Sequence, residues 1–280
     1  MEKVTTEQEL IERKRKIDSS FSEIFKKKAL PYIGILLLLG IWEVAVRAFK
    51  LPSYLLPAPS EIAQVIVQKF SLLMEHSWVT AYEMLMGYFL AIAVAIPMAI
   101  AITASPNFDR FITPILLFFQ TVPKISLAPL FLVWFGVGIT PKILVAFLIS
   151  FFPIIIDTAV GLRSIAPEMV DLARSMGATP FQIFSRFRLP TSLPYLFSGL
   201  KVASTLAVVG AVVGEFVGAD KGLGYLLLVA NSNLLTSLMF AAIFSLTAQG
   251  LILFYIIQRL ETILIPWHIT VRSGEEYGTM

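Results

Sequence analysis

The chain of 280 residues has no cysteine, which removes disulfides, thiolate metal centres and cysteine nucleophiles together. It has only two histidines, His76 and His268, far apart and outside the apolar runs. At such places near a membrane interface a lone His reads as an amphipathic surface residue, not a metal ligand. No Gly-x-x-x-x-Gly-Lys-Ser/Thr string occurs, so the chain cannot build a phosphate-cradling loop or hydrolyse ATP itself. Gly222 and Gly224 stand apart from any such pattern. With no paired catalytic carboxylates either, a nucleophile and base for an intramembrane enzyme are hard to assemble. No internal repeat and no low-complexity tract is visible, which counts against an inverted-repeat transporter. Charge is sparse, at 15% of residues.

What is present is grease. Hydrophobic residues make up 57% of the chain and the mean hydropathy is +0.80, far above a soluble domain. The excess falls into runs of about 20 residues, the length a helix needs to cross a bilayer. These runs predict an all-α membrane protein with six transmembrane helices, near 30–49, 78–104, 111–136, 141–161, 194–216 and 239–260. Polar residues fill the first 28 positions and no small-residue cleavage site follows the first run, so that run is expected to stay as a helix. The organisation expected is a basic N-terminal segment (1–29), one transmembrane domain (30–265) and a C-terminal tail (266–280).

Basic residues orient these spans. Arg13 to Lys16 and Lys26 to Lys28 precede the first, and a cluster of this kind stays in the cytoplasm. Alternation then places 162–193 inside and 50–77, 137–140 and 217–238 outside, with both termini cytoplasmic. Of the 22 Lys and Arg, 16 fall inside and 5 (Arg47, Lys50, Lys69, Lys142 and Lys221) outside or at the outer ends of spans, while Lys124 falls within a span. Two outer segments have helical periodicity: 59–75, opening with Pro59-Ser60-Glu61 as its cap, and 222–238. Both are expected to lie along the outer interface. Trp42-Glu43 and Trp78 mark span ends.

The inside segment 162–193 is the longest polar interruption. Pro167-Glu168 starts a helical stretch, Gly177 permits the positive φ at which helices stop, and Thr179-Pro180 starts a second helix. Phe181, Ile183, Phe184 and Phe187 follow, and Leu189-Pro190 is expected to break the chain before the fifth span. The projection has a small-residue face (Ala173, Gly177, Ala178) and a basic rim (Arg174, Arg186, Arg188). It is either a topology-fixing surface loop or a shape that fits a partner's groove.

Polar residues inside spans are costly and therefore informative. A cation at mid-membrane costs about 2.5–3.5 kcal/mol on insertion scales. Lys124 follows Gln120 by four positions on one helical face, and Pro123 and Pro129 are positioned to kink that helix. The face either lines a translocation path or lets Lys124 pair with Asp157 or Glu215; a third reading has Lys124 snorkelling to an interface. Gly210, Gly214 and Gly218 recur every fourth residue in the fifth span, forming a shallow stripe for helix packing within one subunit, a homodimer seam or a pore. Glu215 lies beside that stripe near the outer end.

The loop resembles the "EAA" loop of bacterial ABC-importer permeases: Asp171, Ala173 and Gly177, then nine residues, then Phe187, Leu189 and Pro190. Asp171 replaces the usual Glu and Leu172 the first Ala. The likeness extends from about 30 to the end, through Leu56-Pro57-Ala58-Pro59, Gln120-Thr121-Val122-Pro123-Lys124, Trp134-Phe135-Gly136, Phe152-Pro153 and Glu215-Phe216-Val217-Gly218 with Gly222-Leu223-Gly224. These strings are similar to the nitrate/taurine/sulfonate-type branch.

The resemblance implies a type I importer permease in the bacterial inner membrane, a homodimer with two ABC ATPase subunits and an external solute-binding protein. It implies that Glu168, Asp171, Ala173, Arg174, Gly177, Ala178, Phe181, Phe184, Leu189 and Pro190 form the ATPase-coupling loop. Gln120, Lys124, Asp157 and Glu215 would then line a path for a small anionic or polar solute. No cofactor or metal belongs to the chain; ATP and Mg would bind the partner ATPase. A secondary transporter or channel working without an ATPase is the alternative, and it would need a coupling-ion or selectivity site within the chain.

Overall fold

The computed structural model describes residue 30 and residues 33–267. The basic N-terminal segment and residues 268–280 of the tail lie outside the described residues, as do the orienting charges counted there. Among the described residues every regular element is helical. Helix α1 covers 33–48.

Helix α2, Pro59–Gln68, opens on a proline whose missing N–H would have had no helical partner. Its cap differs from the expected one. Ser60 N donates to Glu43 Oε2 at 3.0 Å and Ser60 Oγ to Glu43 Oε1 at 2.8 Å, while Arg47 Nε holds Oε1 at 2.6 Å. A carboxylate of α1 thus sits at the positive end of α2. The outer segment expected over 59–75 is divided at Lys69, and its second part belongs to α3, Phe70–Ala104. That helix begins earlier than the expected span because Leu73 and His76 turn inward and are buried.

The apolar run 111–136 is not one straight span. It forms α4 (Pro106–Thr121), a 3-10 turn (Lys124–Leu127) and α5 (Ala128–Phe135), with an 88° bend between the two halves. Pro123 supplies no N–H, and Val122 before it is held extended at φ −64°, ψ 131°, so α4 must end there. Gly136, at φ +76°, closes α5 before α6, Ile139–Arg163.

Helices α7 (Pro167–Ser175) and α8 (Pro180–Ile183) form the polar loop, and α9 is Leu189–Gly218. The break expected at Leu189-Pro190 does not occur. Residues Pro180–Gly218 run as one 39-residue helix with a π turn at Phe184–Arg188. There Leu189 N reaches back to Phe184 O, and the Thr191 hydroxyl donates to Phe187 O at 2.8 Å. The wide turn accommodates the missing Pro190 N–H without ending the helix.

Helix α10 is Leu223–Ser232, shorter than the expected 222–238. Leu234 at φ +56° turns the chain, and α11, Thr236–Leu264, follows. Among the described residues four helices (α3, α6, Pro180–Gly218 and α11) are long and apolar enough to cross a membrane, and the bent α4–α5 pair makes a fifth.

Helices α3, α6 and α9 form the centre, and they converge on fully buried Ala146 of α6. A Cβ on Gly87 of α3 would stand 2.5 Å from Ala146 Cβ, and one on Gly210 of α9 2.5 Å from Ala146 Cα. Gly214 is as tight against Lys142 Cα (2.7 Å) and Gly218 against Leu132 Cδ1 of α5 (2.7 Å). In this structure the glycine stripe lets α9 press its backbone on α6 and α5 of the same chain. Tyr88 Oη, wholly buried, donates to Leu200 O at 3.0 Å and ties α3 to α9.

Candidate functional site

The polar loop is held in shape by its own chemistry. Helix α7 ends in a Schellman motif: Ala178 N donates to Ala173 O at 3.0 Å and Gly177 N to Arg174 O at 2.9 Å. Gly177 takes φ +80°, the left-handed conformation read from the sequence. Thr179 then caps α8 reciprocally with Gln182, Gln182 N donating to Thr179 Oγ1 (3.3 Å) and Thr179 N to Gln182 Oε1 (2.8 Å). Val170, Ala173 and Ile183 are buried together, with Ile165, Ala178 and Phe187 around them.

That small core sorts the residues singled out in the sequence. Ala173 lies inside it, so the small-residue face is not a single exposed surface. Ala178, Phe184 and Pro190 are half-buried, while Glu168, Asp171, Arg174, Gly177, Phe181 and Leu189 are exposed. Asp171 and Arg174 form a loose surface pair at 3.4 Å. The outward face is apolar at its tip: Met176 is 80% and Phe181 75% exposed, with Met169 and Leu172 beside them. Arg188, grouped with the basic rim in the sequence, is half-buried, and its Nε is buried with no hydrogen-bond partner.

A second locus lies at the elbow of α4 and α5. Gln120, Lys124 and Asp157 line one cavity of about 560 Å³ with Phe152, Pro153 and Val209. Lys124 pairs with neither Asp157 nor Glu215. Its Nζ donates to Gln120 O at 3.1 Å, closing the open end of α4, and stands 4.6 Å from the Phe152 ring centroid. The ammonium therefore keeps donor capacity toward the cavity. Gln120, Lys124 and Asp157 are thus brought together, and Glu215 is not.

Glu215 is instead sealed in the core at 1% exposure. It accepts from the Thr80 hydroxyl (2.6 Å) and from the Gly224 and Tyr225 backbone N–H groups at the start of α10. Thr80 Oγ1 in turn accepts from Leu223 N at 2.8 Å, and His76 Nδ1 from Gly222 N at 3.0 Å. Deeper along α3, Glu83 pairs with Lys142 of α6 at 3.0 Å, both buried. Two readings from the sequence are corrected here. His76 is a buried acceptor, not a surface residue, and Lys142 is a buried ion-pair member, not an orienting charge at the outer end of a span. The group was missed because its members lie far apart in the chain. The available signal was His76, Thr80 and Glu83, at i, i+4 and i+7 on one face of an apolar helix.

Residues 87–266, which include the loop, the elbow and the glycine seam, match the family described as binding-protein-dependent transport system inner membrane component. The chain belongs to this family. The formylaminopyrimidine transport permease protein ThiX of Halalkalibacterium halodurans is 38% identical over 85% of this chain and 95% of its own. The taurine transport system permease protein TauC of Escherichia coli is 28% identical over 84% of this chain and 89% of its own. Among solved structures, an inward-facing form of the MetNI methionine ABC transporter superposes with a TM-score of 0.56 at 22% identity, over 71% of this chain and 97% of that one. That likeness establishes the type I ABC permease fold. As a binding-protein-dependent inner membrane component, the chain is a multi-pass importer permease subunit, not an enzyme, and works with an ATPase and a solute-binding protein.

Proposed function

We propose that the α7–α8 loop is where the ATPase docks and that the α4–α5 elbow lines the solute path. The carrying observation is the exposed apolar tip, Met176 and Phe181, on a loop whose interior is already satisfied by its own core. Apolar side chains displayed at the end of a polar projection suit burial in a partner's groove. Six crossings are inferred, with α1 as the first and both termini cytoplasmic, from the bias of Lys and Arg along the sequence. The assembly inferred is a permease homodimer with two ATPase subunits, which bind ATP and Mg, and one solute-binding protein. ATP binding then draws the docked loops together and the spans alternate their access.

The solute proposed is small and polar or anionic. The cavity that supports this sets Lys124 and Gln120 against apolar and aromatic walls, with Asp157 alongside. A formylaminopyrimidine permease and a taurine permease among the relatives bracket the same chemistry.

The docking reading is tested by co-purification. Gly177→Arg puts a long side chain at a left-handed turn on the exposed face, where nothing lies within 4 Å of the new Cβ. The expected result is normal membrane insertion with loss of the ATPase from the purified complex. Undiminished co-purification overturns the reading. Solute uptake into liposomes is expected only with the ATPase and ATP present; uptake driven by an ion gradient through this chain alone overturns it as well.

A further inference from the structure

Two adjoining cavities, of about 590 and 350 Å³, lie between the coupling loop and the span ends. They share Thr103, Val170, Arg174 and Arg188, and Arg163 lines the smaller one. Thr103 is next to the last residue of α3 and Arg163 is the last of α6, so the space opens where two apolar spans terminate. Its lining is mixed in kind: the apolar Ile100, Ile183 and Phe184 together with the guanidinium groups of Arg174 and Arg188.

The charges there do not cancel. Arg163 pairs with Asp109 at 2.9 Å and Arg174 with Asp171 at 3.4 Å. Arg188 forms no ion pair among the described residues, and its buried Nε has no hydrogen-bond partner. Arg188 lines both cavities, so an anion there meets a half-buried guanidinium whose charge nothing among the described residues offsets. One uncompensated cation matches one monoanion, and a planar guanidinium fork suits phosphate oxygens. The volume far exceeds a phosphate's need, and the apolar wall fits a glycerol and the start of an acyl chain.

We propose that this cavity holds the phosphodiester head of an anionic phospholipid, clasped by Arg188 between the coupling loop and the ends of α3 and α6. The leaflet, the cytoplasmic one, rests on the docking reading above; the site itself rests on the cavity and on Arg188.

The test uses the permease–ATPase complex in nanodiscs of phosphatidylcholine with or without phosphatidylglycerol. In the wild type, phosphatidylglycerol is expected to slow amide exchange across Phe184–Arg188 and to remain bound in native mass spectra. Arg188→Gln should weaken that retention about tenfold, as expected for one charge-assisted hydrogen bond, with Arg188→Lys in between. Equal retention by wild type and Arg188→Gln overturns the proposal. So does slowing by inorganic phosphate in plain phosphatidylcholine without any effect of phosphatidylglycerol, because the ligand is then a soluble anion. The wild-type exchange measurement stands even where Arg188→Gln fails to fold. Undiminished co-purification of the ATPase with Gly177→Arg counts against the docking reading, and with it the leaflet, but not the site; absence of lipid-dependent slowing counts against the site alone.

Discussion

Lys124 and Lys142 lie 18 positions apart, each beside a proline in an apolar stretch, and their surroundings are opposites. Around Lys142, α3, α6 and α9 interlock: the ammonium meets Glu83 at 3.0 Å, Gly214 abuts its Cα, and Ala146 is gripped one turn further on. Around Lys124 the helix is broken, no carboxylate is paired, and a cavity opens beside the ammonium. The contrast teaches that a lysine in an apolar run reports nothing by itself. A cation whose every side is packed is a strut; a cation at a helix break with free donors is available to a ligand.

The largest effect expected from breaking this contrast is at the strut. Lys142→Met leaves Glu83 buried without its cation, a loss of about 3–5 kcal/mol. Thermal unfolding in detergent should fall steeply and membrane yield with it, while the Lys142→Met/Glu83→Met pair should recover most of both. A single variant as stable as wild type removes the strut from the account. Next is Gly210→Val, whose new Cβ would overlap the Ala146 backbone and cost about 1–3 kcal/mol or more. Its melting curve is the check, and an unshifted midpoint means that α6 and α9 are not as close as described.

Thr80→Val follows. It removes the hydroxyl that accepts from Leu223 N and donates to Glu215, so a loss of about 1–3 kcal/mol is expected. Amide exchange at 222–225 should accelerate ahead of the rest, and uniform exchange would contradict that. Lys124→Ala has the smallest effect on the fold, about 1 kcal/mol for a half-buried cation–π contact beside an open cavity. Its melting midpoint should match wild type while ATP-driven uptake falls several-fold. Unchanged uptake makes Lys124 dispensable and dissolves the contrast.

The same pair marks how far the sequence could be read. Hydropathy found α3, α6, α9 and α11, because a span's length and apolarity are local properties. Gly177 and Thr179 were legible for the same reason: a left-handed turn and a capping box are written in a few adjacent residues. Lys124 with Gln120 was half-legible, since Pro123 announced a kink but not an 88° turn. Lys142, His76 and Glu215 were misjudged because their partners lie 59 to 146 positions away, beyond any periodicity. Leu189-Pro190 misled in the other direction: a proline stops a helix only if the backbone cannot widen one turn around it, and here it does.

The unbroken run from Pro180 to Gly218 has a mechanical meaning. Thirty-nine residues at 1.5 Å each make a push rod of about 58 Å. One end is seated in the loop through Thr179, and the other carries Glu215, which grips the first turn of α10. Motion between these ends would travel along covalent backbone, not through a relay of side chains, and its weak points are the five-residue π turn at Phe184–Arg188 and Pro194 inside α9. If the ATPase docks at the loop as proposed, the give of those two points would help set how much of a stroke delivered there reaches the far side.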